Sequence, residues 1–405
     1  MRRSLLAIVF CALAGMAQAA SIPLLTGPQD PSQLNATING VIQQLNAQIT
    51  PNSLAGFSAS RNYIDNGAMA IAQRGTGIIT CGTTTVPITT AYAADRWGCN
   101  ANVGSGAGRM QVTTSTPTPP TGFTNSQRLY RTSGILTQPV CAWQEIPTIN
   151  ASQLASQSVV FSSYVQALAG MASDNGGAFN LVIVTGTGSD EGLQSFTAST
   201  AITPAFTGVA TLQSTAFTAT TAWARYAAPA VVVPSTVTEI AVGVCFTPTA
   251  AAVAGTTDGL AFTGTQLEQG LAASSFEFLP YATDLIKAQR YLFTVAESAT
   301  SGAQQSPSGQ GATTTTCQLF IPFTTTMRIA PTFFAAGTAL STSTWTITHV
   351  ATATALATTY LGVLGANTPN GGSLTATVAS GLTTGQTCAL TSANGGSVIA
   401  WTADF

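Results

Sequence analysis

Short runs of β-branched and aromatic residues, each closed by glycine or proline, recur along most of this chain, and they restrict it to an antiparallel β architecture. Ser158–Val165 (SVVFSSYV), Phe179–Val184, Ala230–Val233 and Thr238–Phe246 are four such runs. Turn signals at Gly176-Gly177, Gly186-Thr187-Gly188 and Pro234-Ser235 separate them. The last run alternates between two faces, the period of a strand. One antiparallel sandwich over residues 57–285 accommodates these segments. The pattern restarts over residues 286–405, where Gln318–Phe323 and Met327–Thr332 read as strands interrupted by prolines, so a second, C-terminal β-sandwich is expected. The fold class is all-β, preceded by one short N-terminal helix.

Charge narrows the class further. Only 6% of the 405 residues are charged, with 12 Lys and Arg against 14 Asp and Glu; Lys287 is the only lysine and His349 the only histidine. Disorder is excluded because 45% of the chain is hydrophobic. Its polarity comes from Thr, Ser, Asn and Gln. Surfaces this poor in charge serve badly as soluble monomers, so a homo-oligomer, a trimer above all, is expected. Nucleic acid is excluded as a partner, since no basic run exists outside Arg2-Arg3.

Residues 1–19 read as a secretory leader, with Arg2 and Arg3, an apolar stretch from Leu5 to Leu13 and a small-x-small site at Ala17-Gln18-Ala19. The apolar stretch is too short to span a membrane, and no other segment is a convincing span. Met16 offers a second reading, in which the first fifteen residues are an over-extended frame. The mature chain is expected to begin at Met16/Ala17 or at Ala20. Residues 20–56 form a separate lead. Asp30-Pro31-Ser32-Gln33 is a helix start. Leu34, Ile38, Val41, Leu45 and Ile49 follow on one face, and Pro51 ends the helix. This stripe is either a trimer seam or docking helix, or a helix lying on its own domain's sheet.

Loss of the leader removes Cys11 and leaves Cys81, Cys99, Cys141, Cys245, Cys317 and Cys388, an even number in each β region. Spacing does not fix connectivity. Sequential pairs, Cys81–Cys99, Cys141–Cys245 and Cys317–Cys388, are one reading, and buried free thiols are the other.

Candidates for chemistry are few. His349 lies on an alternating strand with no nucleophile elbow, which leaves no Ser-His-Asp arrangement. Asp190-Glu191 and Asp174 read as turn-capping acids, with a loop calcium site as the alternative; no other cofactor is expected. Glycan recognition needs exposed aromatic faces beside amide and hydroxyl groups. The aromatic candidates are Trp97, Trp143, Trp223 and Tyr226 in the first β region, and Trp345 and Trp401 in the second. Along Trp223-Ala224-Arg225-Tyr226 a strand places Trp223 and Arg225 on one face and Ala224 and Tyr226 on the other. The polar loops Ser298–Thr316 and Asn367–Ser373 stand near Trp345 and Trp401 in sequence and are candidate contact loops.

Two phrases carry a family resemblance. Asn62–Thr76 (NYIDNGAMAIAQRGT), followed by Asp95-Arg96-Trp97, and Gln266–Gly270 (QLEQG), followed by Phe276–Tyr281 (FEFLPY) and Gln289-Arg290-Tyr291, resemble the opening and closing strands of a jelly-roll module of bacteriophage tail-fibre and other virion surface proteins. The resemblance covers residues 57–291. It implies a jelly roll, a virion setting, other virion proteins as partners through residues 20–56, and a host-surface glycan as ligand, met at the distal C-terminal region. It also implies that Trp97 is core and that Glu268 and Glu277 pair with Arg74 or Arg96. The leader leaves a secreted or cell-surface protein as the alternative, and a polysaccharide depolymerase as a second.

Overall fold

The computed structural model describes residues 61–82, 92–101, 108–132, 138–192, 206–249, 254–296, 307–336, 345–352, 354–363, 365, 367–392 and 398–404. All fall within one compact unit, Ser60–Phe405. The leader over 1–19, the possible start at Met16 and the helix expected within 20–56 lie outside the described residues. No helix among the described residues is long and apolar enough to cross a membrane.

Twelve strands build the first β region: β1 Ile79–Thr80, β2 Gly98–Ala101, β3 Gly108–Thr113, β4 Ser126–Arg131, β5 Val140–Ile146, β6 Ser158–Ala167, β7 Ala178–Gly186, β8 Ala210–Thr218, β9 Ala224–Ala227, β10 Val231–Val232, β11 Glu239–Phe246 and β12 Gly259–Gln269. They form a front sheet in the order β1-β3-β4-β12-β6-β10, with β9 also on β6, and a back sheet in the order β2-β5-β11-β7-β8. Taken in chain order from β4, the strands interleave as β4-β12-β6-β9/β10 and β5-β11-β7-β8. That is the double Greek key of a jelly roll. Two short helices, α1 Thr148–Ala151 and α2 Ala169–Asp174, sit in its connections.

Alternation explains the sandwich. Val140, Ala142 and Ile146 of β5, Ile240, Val242, Val244 and Phe246 of β11, and Phe179, Leu181 and Ile183 of β7 point inward. They meet Met110 and Val112 of β3, Leu129 of β4, Val159, Phe161 and Val165 of β6, and Leu260, Phe262 and Leu267 of β12. Trp97 lies among them, edge-on to Phe262 with ring centroids 5.3 Å apart. The back sheet has a second apolar layer on its outer face. There Tyr92, Trp143, Val182, Val184 and the Cys141–Cys245 pair are buried together.

Helix α3, Tyr281–Gln289, leads into the second β region, so the boundary expected at 285/286 falls inside a helix. Its strands are β13 Leu292–Ala296, β14 Ser308–Gly311, β15 Thr316–Pro322, β16 Thr332–Ala336, β17 Trp345–His349, β18 Thr354–Val363, β19 Gly371–Val378, β20 Thr387–Ser392 and β21 Val398–Thr402. Six close on themselves as the barrel β14-β15-β19-β18-β17-β20, and β13-β21-β16 form a three-stranded sheet. Leu319, Ile347, Leu374, Leu390, Ile399 and Trp401 share one core. Met327 to Pro331, expected as strand, runs without strand pairing, and β16 begins only after Pro331.

The structure contains the disulfides Cys81–Cys99, Cys141–Cys245 and Cys317–Cys388. A buried ionic seam joins the two β regions. Arg96 lies 3.7 Å from Asp65, 3.4 Å from Asp404 and 3.6 Å from the centre of the Tyr291 ring, while Arg74 pairs with Asp404 at 2.5 Å. These contacts correct the expected pairing of Arg74 and Arg96 with Glu268 and Glu277. Glu277 instead accepts the backbone N–H groups of Arg61 and Asn62, both at 2.8 Å. Glu268 accepts from Gln266 and Ser274.

The same bonds tie the two family-like phrases together. Neither is simply a strand: Asn62–Met69 is a turn segment, and Phe276–Pro280 runs without strand pairing into α3.

Candidate functional site

The outer face of the front sheet is the polar face of the sandwich. The corresponding face of the back sheet carries the buried apolar layer around Trp143. Register brings four strands into one row, Gln111 opposite Arg128, Arg128 opposite Ala261, and Ala261 opposite Gln166. The next row sets Thr263 opposite Tyr164 and Tyr164 opposite Arg225. Strand alternation points all of these side chains outward, because Leu129, Val165, Leu260 and Phe262 between them point into the core. Before its bulge, the central strand β12 contributes only Gly259, Ala261 and Thr263 to this face, so the floor there is low; Gln266 and Glu268 follow beyond the bulge, bonded to each other. Half-buried Arg128, Tyr164, Gln166 and Arg225 stand on either side.

The connection from β3 to β4, residues 114–125, overhangs this floor. Trp223 donates its indole N–H to the Thr118 carbonyl at 2.7 Å. Phe123 packs tilted against Tyr164 with ring centroids 5.3 Å apart. Gly264, at φ +57°, permits this. A Cβ there would lie 2.6 Å from Phe123 Cζ and 2.8 Å from Tyr164 Cδ2, so any larger residue displaces the rings. Phe123 also meets Phe276 at 5.2 Å and Phe278 at 4.9 Å. Those rings, with Asn62, Gly67 and Tyr281, line a recess of about 250 Å³ beside the floor. The family-like phrases therefore supply the wall of the recess as well as scaffolding.

Hydrogen bonding on the face is incomplete within the protein. Gln166 donates to the Thr221 carbonyl at 2.5 Å, Arg225 Nη2 to Ser162 Oγ at 2.9 Å, and Arg128 to the Thr256 carbonyl. Arg128 Nε, Ser126 Oγ, Gln166 Oε1 and Arg225 Nε are buried and make no hydrogen bond. Each unmade bond of this kind costs about 1–3 kcal/mol, so the face favours a polar guest that completes them.

The sequence candidates divide sharply. Trp223 and Arg225 lie outward together on this face, and Tyr226 points inward against Phe179 and Phe217. Trp97, Trp345 and Trp401 are 0%, 3% and 0% exposed, which removes them as sugar platforms. Each is the largest ring in its local core, where burying it gains most. The exposed rings of the barrel are Phe320 and Tyr360, on β15 and β18. Of the two expected contact loops, Ser298–Thr316 contains strand β14, Ser308–Gly311, with residues 298–306 outside the described residues, and Asn367–Ser373 turns into β19. Arg128, Tyr164 and Gln166 were not singled out from sequence; only strand register brings them beside Trp223.

The acids serve the fold. Asp174 accepts from the Thr249 N–H and hydroxyl and pairs with Arg131. Asp190 accepts from the Thr148 N–H at 2.9 Å and pairs with Arg328. His349 Nδ1 contacts the Thr352 hydroxyl across its own turn. Among the described residues no group of three or more His, Cys, Asp or Glu is placed to hold a metal ion. Glu191 and Glu239 share a hydrogen bond, and burial pushes Glu239 up to about 7. Glycoside hydrolysis needs two carboxyl groups about 5–9.5 Å apart, and this pair is in contact.

The raised group has a testable consequence. Its proton is held more tightly in the folded chain, so its stabilisation is present in acid and is lost as pH rises through about 7. Glu239→Gln keeps the acceptor for the Glu191 N–H and donates as the protonated carboxyl does. Thermal unfolding across pH should show the variant gaining on the parent as pH rises from about 4.5 to about 7, with the gain levelling off above that. Parallel profiles would reject the assignment.

No protein-family model matches the chain, and no curated protein matches it. Among solved structures it is similar to the C-terminal family 22 carbohydrate-binding module of a Clostridium thermocellum protein, at 12% identity over 45% of this chain and 91% of that one, with a TM-score of 0.29. A xylan-binding family 22 domain from Paenibacillus barcinonensis matches at 15% identity over 50% and 99%, with a TM-score of 0.26. The enzymatically active domain of bacteriophage CBA120 tailspike protein 4 matches at 9% identity over 52% of this chain, with a TM-score of 0.30; the chain spans 22% of that protein's length. Likeness at this level carries no functional argument, and the reading below rests on the residues.

Proposed function

We propose that this chain is a non-enzymatic carbohydrate-binding protein of a virion surface, and that it binds glycan on the outer face of the jelly-roll front sheet. One observation carries the glycan reading. A low floor along β12 is flanked by Tyr164, Trp223 and Phe123 and by the partly unsatisfied amide and guanidinium groups of Gln166, Arg128 and Arg225. Sugars present apolar C–H faces that pack on rings and hydroxyl edges that match planar amide and guanidinium groups. The virion setting is supported by the phrases Asn62–Thr76 and Gln266–Tyr291 and by a charge-poor surface suited to repetitive assembly. The non-enzymatic reading is supported by the contact between Glu191 and Glu239, which leaves no space for a glycosidic oxygen between them.

Affinity electrophoresis of the full chain against a panel of polysaccharides tests the site. Trp223→Ala should weaken binding at least tenfold while leaving the unfolding midpoint within a few degrees. Phe320→Ala with Tyr360→Ala serves as the barrel control and should bind as the parent does. Loss in the barrel variant with retention in Trp223→Ala would move the site to the second β region. Mass spectrometry of purified particles against a periplasmic fraction tests the virion setting, and recovery only from the periplasm would replace it with the secreted alternative.

A further inference from the structure

Five of the ten Lys and Arg side chains in the described residues sit in internal ion pairs. Arg74, Arg96, Arg131, Lys287 and Arg328 each sit against a carboxylate. Arg128 and Arg225 do not. Their partners are neutral: a backbone carbonyl for Arg128, a serine hydroxyl for Arg225, and beneath each a phenol ring, Tyr130 at 5.0 Å and Tyr164 at 6.0 Å. In both cases the Nε–H is buried without an acceptor. The two cross-strand rows that hold them contain Gln111, Ala261, Gln166, Thr263 and Tyr164, and no Asp or Glu.

We infer that the front-sheet face takes a carboxylate-bearing oligosaccharide, one whose acidic groups meet Arg128 and Arg225. This inference rests on the glycan-binding reading of the same face and adds the chemical class of the ligand. Sites for neutral sugars need acceptors for sugar hydroxyls, and carboxylates are the strongest acceptors a protein offers. The two rows that hold Arg128 and Arg225 offer no carboxylate. A guanidinium is planar, and its edge N–H groups match a carboxylate bidentately; an aromatic ring lies 5.0 Å from Arg128 and 6.0 Å from Arg225. The ring also fixes the side chain before a ligand arrives. Arg128 on β4 and Arg225 on β9 are three strand spacings apart, about 14 Å. A single sugar does not reach across that distance, so the face reads a chain with acidic groups on separate residues. Gln111 and Gln166 lie in the Arg128 row and supply both donors and acceptors for the hydroxyls between.

The test compares full-length parent, Arg128→Gln, Arg225→Gln and Trp223→Ala against polygalacturonate, its carboxyl-reduced counterpart and a panel of neutral and acidic polysaccharides. Parent protein should bind carboxylate-bearing members, lose at least tenfold on carboxyl reduction, and weaken as salt rises. Each arginine variant should lose at least tenfold on acidic polymers with an unfolding midpoint close to the parent's. A variant that fails to fold is replaced by Arg→Lys at the same position, which keeps the charge and stem and should still lose affinity because it cannot bind bidentately. Equal binding of native and carboxyl-reduced polymers, weakened only by Trp223→Ala, would overturn the acidic class and leave the glycan reading standing. Absence of binding to every polymer in the panel would overturn both.

Discussion

Arg131→Met should destabilise the jelly roll by about 3–5 kcal/mol, the largest loss expected from any single substitution described here. Arg131 ends β4 with its side chain fully buried. Its Nε lies 2.5 Å from Asp258 Oδ2 and one terminal nitrogen 3.5 Å from Asp174 Oδ2. One cation thus fastens three segments: the end of β4, the end of α2 and the turn before β12. Methionine fills much of the volume but leaves two carboxylates in a site that excludes water. Burial already raises Asp258 above the usual carboxylate range, and Arg131 is what restrains it. Without Arg131, Asp258 rises further and folds most readily in its protonated form. The deficit measured by guanidinium unfolding should therefore be largest near neutral pH and shrink as pH falls toward about 5. A loss below 1 kcal/mol at neutral pH would show that other groups neutralise these acids.

The second large effect is covalent. Cys141 and Cys245 are directly opposed in the β5–β11 ladder and are 104 residues apart in sequence. Closing so long a loop restricts the unfolded chain strongly, and replacing both cysteines by alanine should cost about 2–5 kcal/mol. The site also loses packing, since the pair lies in the buried layer with Trp143, Val182 and Val184. Cys317–Cys388 closes a shorter stretch of 71 residues in the barrel, so its removal should cost somewhat less. Unfolding curves with and without reductant check the order. Equal midpoints under both conditions would mean that the bridges add nothing to equilibrium stability.

How much of this was visible in the sequence depends on the range of the interaction. The strand runs of β6, β7 and β11 were legible because alternation is local, and so was the split of Trp223 and Arg225 from Tyr226. The jelly roll itself came through the likeness of two phrases; the second does begin on the closing strand, with Gln266–Gln269 at the end of β12, but the first is a turn segment and Phe276–Pro280 is an unpaired segment locked by Glu277 onto the backbone of Arg61 and Asn62. The resemblance placed Trp97 in the core correctly, but for Trp345 and Trp401 residue type alone does not reveal exposure. Trp97, Trp345 and Trp401 are the rings their cores close around, whereas half-buried Trp223 holds a loop. Arg128 and Gln166 were invisible as site residues because their neighbourhood depends on β12 pairing with two strands that lie about 100 or more residues earlier. The seam residue Asp404 escaped notice for the same reason: its partners, Arg74 and Arg96, lie over 300 positions earlier.

The closed barrel bears on how such a molecule survives at high local density. Proteins commonly guard exposed strand edges with lysine and other charges, and this chain has one lysine and few charges of any kind. It uses closure instead. In the barrel β14 pairs with both β15 and β20, so every strand there has two neighbours and none presents a free row of backbone groups to another copy. Copies can then crowd together through side-chain surfaces without strands of one chain adding to sheets of the next. Cutting the barrel open between β14 and β20 exposes two free strand edges, and the cut protein should form fibres that bind thioflavin where the parent does not.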